Sequence, residues 1–195
     1  MKEKRFNQLA REYFGSILEQ NGFSVERSKF STFYRQASDD IYHVIMPDLS
    51  RDGTWFDIRV FVTSPLIEPQ FNKGFPDTVA IPSDSFSSLH PRFGVGARMH
   101  KYRCKTEEGF TRNFNKDVVV ALKEKALPYL DSITCLHDLI PYLKRNFYLG
   151  AALWHDGQQE KARELLIAEK SILSNIDDDT GRVSSLLNYI DNVLA

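Results

Sequence analysis

The sequence predicts an α+β protein in which an N-terminal helix covers a small antiparallel sheet and a C-terminal helical bundle follows. Three observations lead to this fold class. Apolar side chains recur with a helical period over the first 21 residues, short β-rich runs separated by turn residues fill 23–63, and the helical period returns after residue 111. Helices and strands are thus segregated along the chain, which favours α+β over an alternating α/β architecture.

The first predicted element is an amphipathic helix over residues 3–21. Its apolar side chains form one stripe, which consists of Phe6, Leu9, Ala10, Tyr13, Phe14, Ile17 and Leu18. Asn21 and Gly22 are expected to end it, because glycine adopts a positive φ at a helix C-terminus without steric cost. We expect this helix to cover the sheet.

Residues 23–63 predict a meander of antiparallel strands. The β-rich runs are separated by Asp, Ser and Gly at 36–40 and 50–53, which are turn-forming residues. In the last run, four apolar residues alternate with four mixed ones: Phe56, Ile58, Val60 and Val62 with Trp55, Asp57, Arg59 and Phe61. This strand is therefore predicted to have one wholly apolar face and one mixed face.

The middle of the chain predicts an irregular loop over residues 64–96, because that stretch holds five of the eight prolines. A further strand is expected at 97–104. Helices are then predicted at 117–129, 134–144, 147–156, 158–174 and 180–194, with Thr134 as an N-cap. We divide the chain into an α+β sheet domain, 1–111, and a helical subdomain, 112–195, which together form one compact unit.

One tetratricopeptide-like helix hairpin is predicted near the C-terminus. Its small and apolar positions are Leu149, Gly150, Leu153, Gly157, Ala162 and Leu166. The small residues allow two antiparallel helices to approach closely, and Gly157 permits the tight turn between them. A solenoid needs at least three repeats, so the pattern predicts either an ordinary helical hairpin packed on the domain or a short platform for a protein partner.

The composition excludes several classes of function. The chain carries 25 basic and 26 acidic residues, which makes nucleic-acid binding unlikely. No run of 18 apolar residues is present, so we expect no membrane span, and the N-terminal residues lack the apolar core of a secretory signal. Two separated cysteines predict neither a disulfide framework nor a zinc site. We expect a cytoplasmic protein without a metal or another cofactor.

The strongest candidate site is the basic stretch 90–105. It contains five Lys or Arg residues, two histidines and no acid, with two aromatic residues between them. The candidates for partner binding are Arg92, Phe93, Arg98, Lys101, Tyr102 and Arg103, because aromatic residues and arginine are enriched in interfaces. The alternative is a charged edge strand that blocks aggregation.

The N-terminal half resembles an uncharacterised bacterial domain-of-unknown-function family. The resemblance covers about residues 5–65 and rests on the opening helix followed by four short motifs: Gln20-Asn21-Gly22-Phe23, Phe30 with Phe33-Tyr34-Arg35, 41–46, and Trp55-Phe56-Asp57-Ile58. That family implies no catalytic residues. Small α+β proteins of this kind are similar in class to immunity proteins that neutralise bacterial toxins.

These observations predict a non-enzymatic protein that binds a protein partner, most specifically an immunity protein that binds a toxin domain. The sequence contains no Gly-x-Ser-x-Gly elbow and no pair of histidines at helical spacing. Two alternatives stay open. One is a small enzyme acting on a phosphorylated or nucleic-acid substrate, in which Arg92, Arg98, His100 and Arg103 converge with Asp57 or Asp84. The other is a ligand-binding module with a deep apolar cleft between sheet and bundle.

Overall fold

The helical period of the first residues produces helix α1 (Glu3–Leu18), which a 3-10 turn extends to Asn21. Gly22 ends it with φ of 81°, as the sequence predicts. The computed structural model describes residues 1–26, 31–67, 87–96, 99–177 and 181–195. The apolar stripe of α1 is buried, so the predicted N-terminal helix is confirmed.

The strands form an antiparallel sheet that is larger than the sequence predicts. Four strands follow α1: β1 (Ser24–Glu26), β2 (Thr32–Ser38), β3 (Ile41–Leu49) and β4 (Trp55–Thr63). Three shorter strands come later: β5 (Ser87–His90), β6 (Gly94–Val95) and β7 (Tyr102–Arg103). The strand order is β1-β2-β3-β4-β5-β6, and β7 also pairs with β4.

The prediction of an irregular loop over 64–96 is wrong for 87–96, which form the hairpin β5–β6. Proline is tolerated there because Pro91 lies in the turn, where its missing N–H removes no ladder hydrogen bond. Residues 68–86 of that predicted loop lie outside the described residues. The strand expected at 97–104 is limited to Tyr102 and Arg103 in the described part of that range.

The predicted two faces of β4 are confirmed. Phe56, Ile58, Val60 and Val62 are fully buried in the core beneath α1. The other face carries the charged side chains of Arg59 and Asp57. In the pairing with β3, these residues lie opposite Met46 and Asp48. Phe61 on that face is also fully buried.

A helical segment longer than predicted spans residues 107–131. Its three α-helical parts are α2 (Glu107–Asn113), α3 (Val119–Ala121) and α4 (Leu127–Asp131), and π-helical turns at Phe114–Val118 and Leu122–Ala126 join them. Thr106 caps its N-terminus by accepting a hydrogen bond from the Gly109 N–H at 3.1 Å.

The π-helical turns have a cause in the spacing of the buried side chains. These recur at every fourth residue: Phe110, Phe114, Val118, Leu122, Ala126 and Leu130. An α-helix has 3.6 residues per turn, so a four-residue repeat drifts by about 40° at each step. Wider π turns remove this drift, and all six side chains therefore stay in the core.

The remaining helices are α5 (Leu136–Leu139) with a 3-10 turn to Tyr142, α6 (Asn146–His155), α7 (Gln159–Leu173) and α8 (Arg182–Leu194). Thr134 lies before α5, where Cys135 is the N-cap. Helices α6 and α7 pack together as a helical hairpin at the predicted place, and its likeness to a tetratricopeptide repeat stays a prediction. No helix in the described ranges combines the length and the apolarity needed to cross a membrane.

The expected C-terminal bundle is not clearly formed, because the helical segment 107–131 packs on α1 and on the sheet. Phe110 and Phe114 contact Phe14 of α1 or Phe56 of β4, with ring centroids 5.0 to 5.3 Å apart. One hydrophobic core continues from Phe6 to Ile190. The division at residues 111 and 112 falls inside α2, and the core crosses it.

Candidate protein-binding surface

The turn of hairpin β5–β6 is held by the side chain of His90. Its Nδ1 accepts hydrogen bonds from the backbone N–H of Arg92 at 3.0 Å and of Phe93 at 3.3 Å. The sequence favours this turn because Pro91 has a fixed φ and Gly94 takes φ of 87°. The histidine therefore acts as a cap that fixes the backbone of the hairpin tip.

The tip presents a large apolar side chain to solvent. Phe93 is 62% exposed, and its ring rests on the His90 ring with centroids 4.6 Å apart. Met99, which precedes His100 in sequence, is 53% exposed. Single exposed apolar side chains are common on protein surfaces, and Phe93 differs from them because His90 fixes its backbone.

A chain of rings connects the tip to the hydrophobic core. From Phe93 and His90 it continues to His100 at 5.0 Å, to Tyr102 at 4.5 Å, and to Phe56 of β4 at 5.1 Å between centroids. Tyr102 and Phe56 are buried, whereas the two histidines are half-buried. The exposed ring of Phe93 is thus supported from below by packed side chains.

One cation lies at the hairpin tip, and two more lie beside Trp55 at the start of β4. The guanidinium of Arg92 lies 5.3 Å from the Phe93 ring centroid, and the Lys101 ammonium lies 4.1 Å from the Trp55 ring centroid. Arg103 is exposed and pairs through its backbone with Trp55. Within the described residues, these three cations form no ion pair with a carboxylate. We call Arg92, Phe93, Met99, Lys101 and Arg103 the tip surface.

The two π-helical turns of the segment 107–131 lie close to hairpin β5–β6 and to His100. The first carries Asp117, whose negative charge acts on His100 and Tyr102. The second carries Lys125, and a side chain at Gly94 would meet the aliphatic part of Lys125 at 3.8 Å. The same turns that keep the helix on the core therefore position groups beside the hairpin.

Electrostatics differ between the two inner members of the ring chain. Burial lowers the pKa of His100, a positive charge on His90 would act in the same direction, and Asp117 opposes both. Burial raises the pKa of Tyr102, and its hydroxyl is buried without a hydrogen-bond partner among the described residues. Both groups are therefore neutral at neutral pH.

The structure separates the six residues predicted for partner binding. Arg92, Phe93, Lys101 and Arg103 lie on the tip surface. Tyr102 does not, because its pairing with Phe56 turns its ring into the core, where it is 2% exposed. Arg98 lies outside the described residues. Met99 was not among the predicted residues, although in sequence it lies between two of them, Arg98 and Lys101.

Two residues expected for the alternative enzyme site, Asp57 and His100, have different partners. Asp57 is nearly buried and accepts a hydrogen bond from the Arg59 Nε at 3.4 Å, and Arg59 also pairs with Asp48. Burial raises the pKa of Asp57, although the charges of Arg59 and Lys101 oppose this. His100 instead contacts Tyr102. Asp84 lies outside the described residues.

A cleft of about 430 Å³ lies near the start of β4, between the first residues of α1 and the turn that joins β3 to β4. Its lining mixes polar and apolar residues and includes Lys2, Asn7 and Asp52. Hydrogen bonds from Ser50 and Thr54 lower the pKa of Asp52 to about 2. This carboxylate fixes the turn, and the cleft differs from the apolar one between sheet and bundle that the ligand-binding alternative predicts.

No family model, no curated protein and no solved structure matches this chain. The function of the tip surface is therefore argued from its own geometry.

Proposed function

We propose that the protein is a non-enzymatic binding protein that contacts an acidic protein partner through the tip surface, and that it serves as a bacterial immunity protein by blocking a toxin. The observation that carries the binding proposal is Phe93. This ring is 62% exposed, yet it lies at a hairpin tip that His90 fixes in place.

The chemistry of the tip surface fits a protein interface. Interface centres are rich in aromatic residues, Met and Arg, and the tip surface combines Phe93, Met99 and Arg92. A stable interface buries about 800 Å² on each partner, so these residues would form its centre. The cations of the tip surface pair with no described carboxylate. Carboxylates of the partner would therefore form ion pairs with them.

The toxin-blocking role rests on two further supports. One is the resemblance of the N-terminal half to an uncharacterised bacterial family, since small α+β proteins of this kind are similar in class to immunity proteins. A preformed surface suits this task, because binding then loses little conformational entropy.

Capture experiments test the surface. Tagged full-length protein is incubated with a lysate of its source organism, and retained proteins are identified by mass spectrometry. We expect wild type to retain one stoichiometric partner and Phe93→Ala to lose it. Ile167→Ala is the matched control, since Ile167 is similarly exposed on α7 but lies outside the tip surface. Equal retention by all three proteins would place the interface elsewhere.

Co-expression tests the biological role. The captured partner is expressed alone in a bacterial host and then together with each variant. We expect it to arrest growth alone, with rescue by wild type and by Ile167→Ala but not by Phe93→Ala. A partner that is harmless alone would contradict the immunity role.

The enzyme alternative draws on the same cations. Lys101 and Arg103 form no ion pair with a described carboxylate and would contact a phosphate. This alternative predicts that Lys101→Ala and Arg103→Ala weaken binding of a phosphorylated compound, whereas Phe93→Ala does not. Protein capture that depends on Phe93 distinguishes the two functions.

A further inference from the structure

We infer that His90 is a proton-controlled clasp for the tip surface, so that partner binding weakens as the pH falls. The inference rests on the proposed function for its consequence, but its structural part concerns the free protein. It depends on the two hydrogen bonds that Nδ1 accepts from the N–H groups of Arg92 and Phe93.

The direction of the hydrogen bonds determines the protonation state of the clasp. An imidazole nitrogen accepts only when it carries no proton. His90 is therefore neutral in this structure, with its proton on Nε2. Adding a second proton would place it on Nδ1 and turn the acceptor into a donor. The N–H groups of Arg92 and Phe93 would then face another N–H, and both bonds would be lost.

The charges around His90 are mostly positive, so they repel a proton on the ring and offer no partner that would hold the protonated ring in the clasped position. His100 lies 5.0 Å away, so charging both rings brings two positive charges together. Three more positive charges lie on neighbouring segments: Arg92 in the tip, Lys101 before β7 and Lys125 in the second π-helical turn. Asp117 of the first π-helical turn is the carboxylate that acts on His100. On β4, the charges of Asp57 and Arg59 are paired with each other.

Release of the clasp would loosen the two residues that the proposed interface needs most. Arg92 and Phe93 would keep their side chains but lose the fixed backbone that presents them. Protonation of the His90 ring is therefore the event that opens the tip. If the clasped fraction fell to about a tenth, the partner's affinity would fall about tenfold.

The structural part is tested by NMR on the full-length protein without a partner. Amide signals of Arg92 and Phe93 are followed from pH 7.5 to 5.5, together with the His90 ring signals. We expect both amides to shift with the same midpoint as the His90 ring. Amides that stay unchanged while the ring titrates would overturn the inference.

Two variants separate His90 from its neighbour. His90→Asn keeps a side-chain acceptor that does not titrate, because asparagine can bond the backbone two residues ahead. We expect this variant to abolish the pH-dependent shift of the two amides. His100→Gln should leave it in place. A shift that persists in His90→Asn and disappears in His100→Gln would assign the effect to His100 and contradict the clasp.

A capture experiment then tests the link to binding. Retention of the partner is compared at pH 7.5 and 5.5 for wild type and His90→Asn. We expect retention to fall at pH 5.5 for wild type and to stay near-constant for His90→Asn. Equal losses in both would contradict control of binding by His90. Absence of any partner would contradict the proposed function alone, since the NMR result decides the clasp independently.

Discussion

His43 shows how one buried side chain joins the sheet to the helical part of the chain. It is 1% exposed on β3, its Nε2 donates to the Ile133 carbonyl oxygen at 2.7 Å, and its Nδ1 accepts from the Arg35 Nη2 at 2.9 Å. Arg35 in turn pairs with Asp131 at the end of α4. Both ring nitrogens are satisfied only in the neutral form.

This arrangement predicts a loss of stability in mild acid. Burial lowers the pKa of His43, and the charge of Arg35 acts in the same direction. An unfolded histidine binds a proton below about pH 6.5, so the unfolded state holds more protons below that pH. The stabilisation is therefore complete above about pH 6.5 and is lost as the pH falls toward the lowered folded value. The slope reaches at most about 1.4 kcal/mol per pH unit.

Urea unfolding at pH 7.5, 6.5 and 5.5 measures the effect. We expect the free energy of unfolding to fall less steeply with acid in His43→Gln than in wild type. The lowered pKa values of His100 and His155 contribute equally to both proteins, so the difference isolates His43. Parallel pH profiles would show that His43 is protonated equally in both states.

At the scale of elements, the hairpin α6–α7 depends on a missing side chain. A Cβ at Gly150 would lie 2.8 Å from the Cγ of Leu166, which is fully buried. Because Leu166 is packed inside the core, a Cβ at this distance would force its side chain or the two helices to shift. The close approach explains why a small residue stands at the centre of this seam.

Substitution of Gly150 therefore has a diagnostic sign. Alanine in place of a helical glycine ordinarily stabilises by about 1 kcal/mol, but Gly150→Ala should destabilise by about 1–3 kcal/mol through overpacking. Gly15→Ala on α1 is the matched control, because its new Cβ comes closest to the flexible end of Glu19, at 3.3 Å, and meets Phe33 only at an ordinary contact distance of 4.0 Å. Thermal or urea unfolding compares them. A stabilised Gly150→Ala would contradict the close packing.

The elements differ in how far their sequences predict them. Helix α1, strand β4 and hairpin α6–α7 follow from periodicity, because each buries one regular face. The helix predicted at 117–129 covers only part of the helical segment 107–131, because the four-residue repeat from Phe110 to Leu130 matches neither the period of an α-helix nor that of a strand. Hairpin β5–β6 was missed because the proline content of 64–96 conceals two short strands whose turn accommodates Pro91.

At the scale of the whole molecule, the tip surface is an extension of the hydrophobic core. Rings run from Phe56 in the sheet through Tyr102 and the two histidines to Phe93 in solvent. A partner would therefore meet a preformed surface, and little entropy would be lost on ordering it.

The composition of this surface was partly predictable from the sequence. The mixture of cations and aromatic residues at 90–105 indicated Arg92 and Phe93 correctly as surface residues. It could not distinguish Phe93 from Tyr102, because the difference comes from the long-range pairing of β7 with β4. The capping role of His90 was also hidden, since it depends on a turn that spans only three residues.

The most direct test of the account is the affinity of the captured partner for two variants, measured by isothermal titration calorimetry. We expect Phe93→Ala to weaken binding by about 30-fold or more, as loss of about 2 kcal/mol at an interface centre requires. Ile167→Ala should stay within about threefold of wild type. Equal affinities of Phe93→Ala and Ile167→Ala would contradict binding through the tip surface.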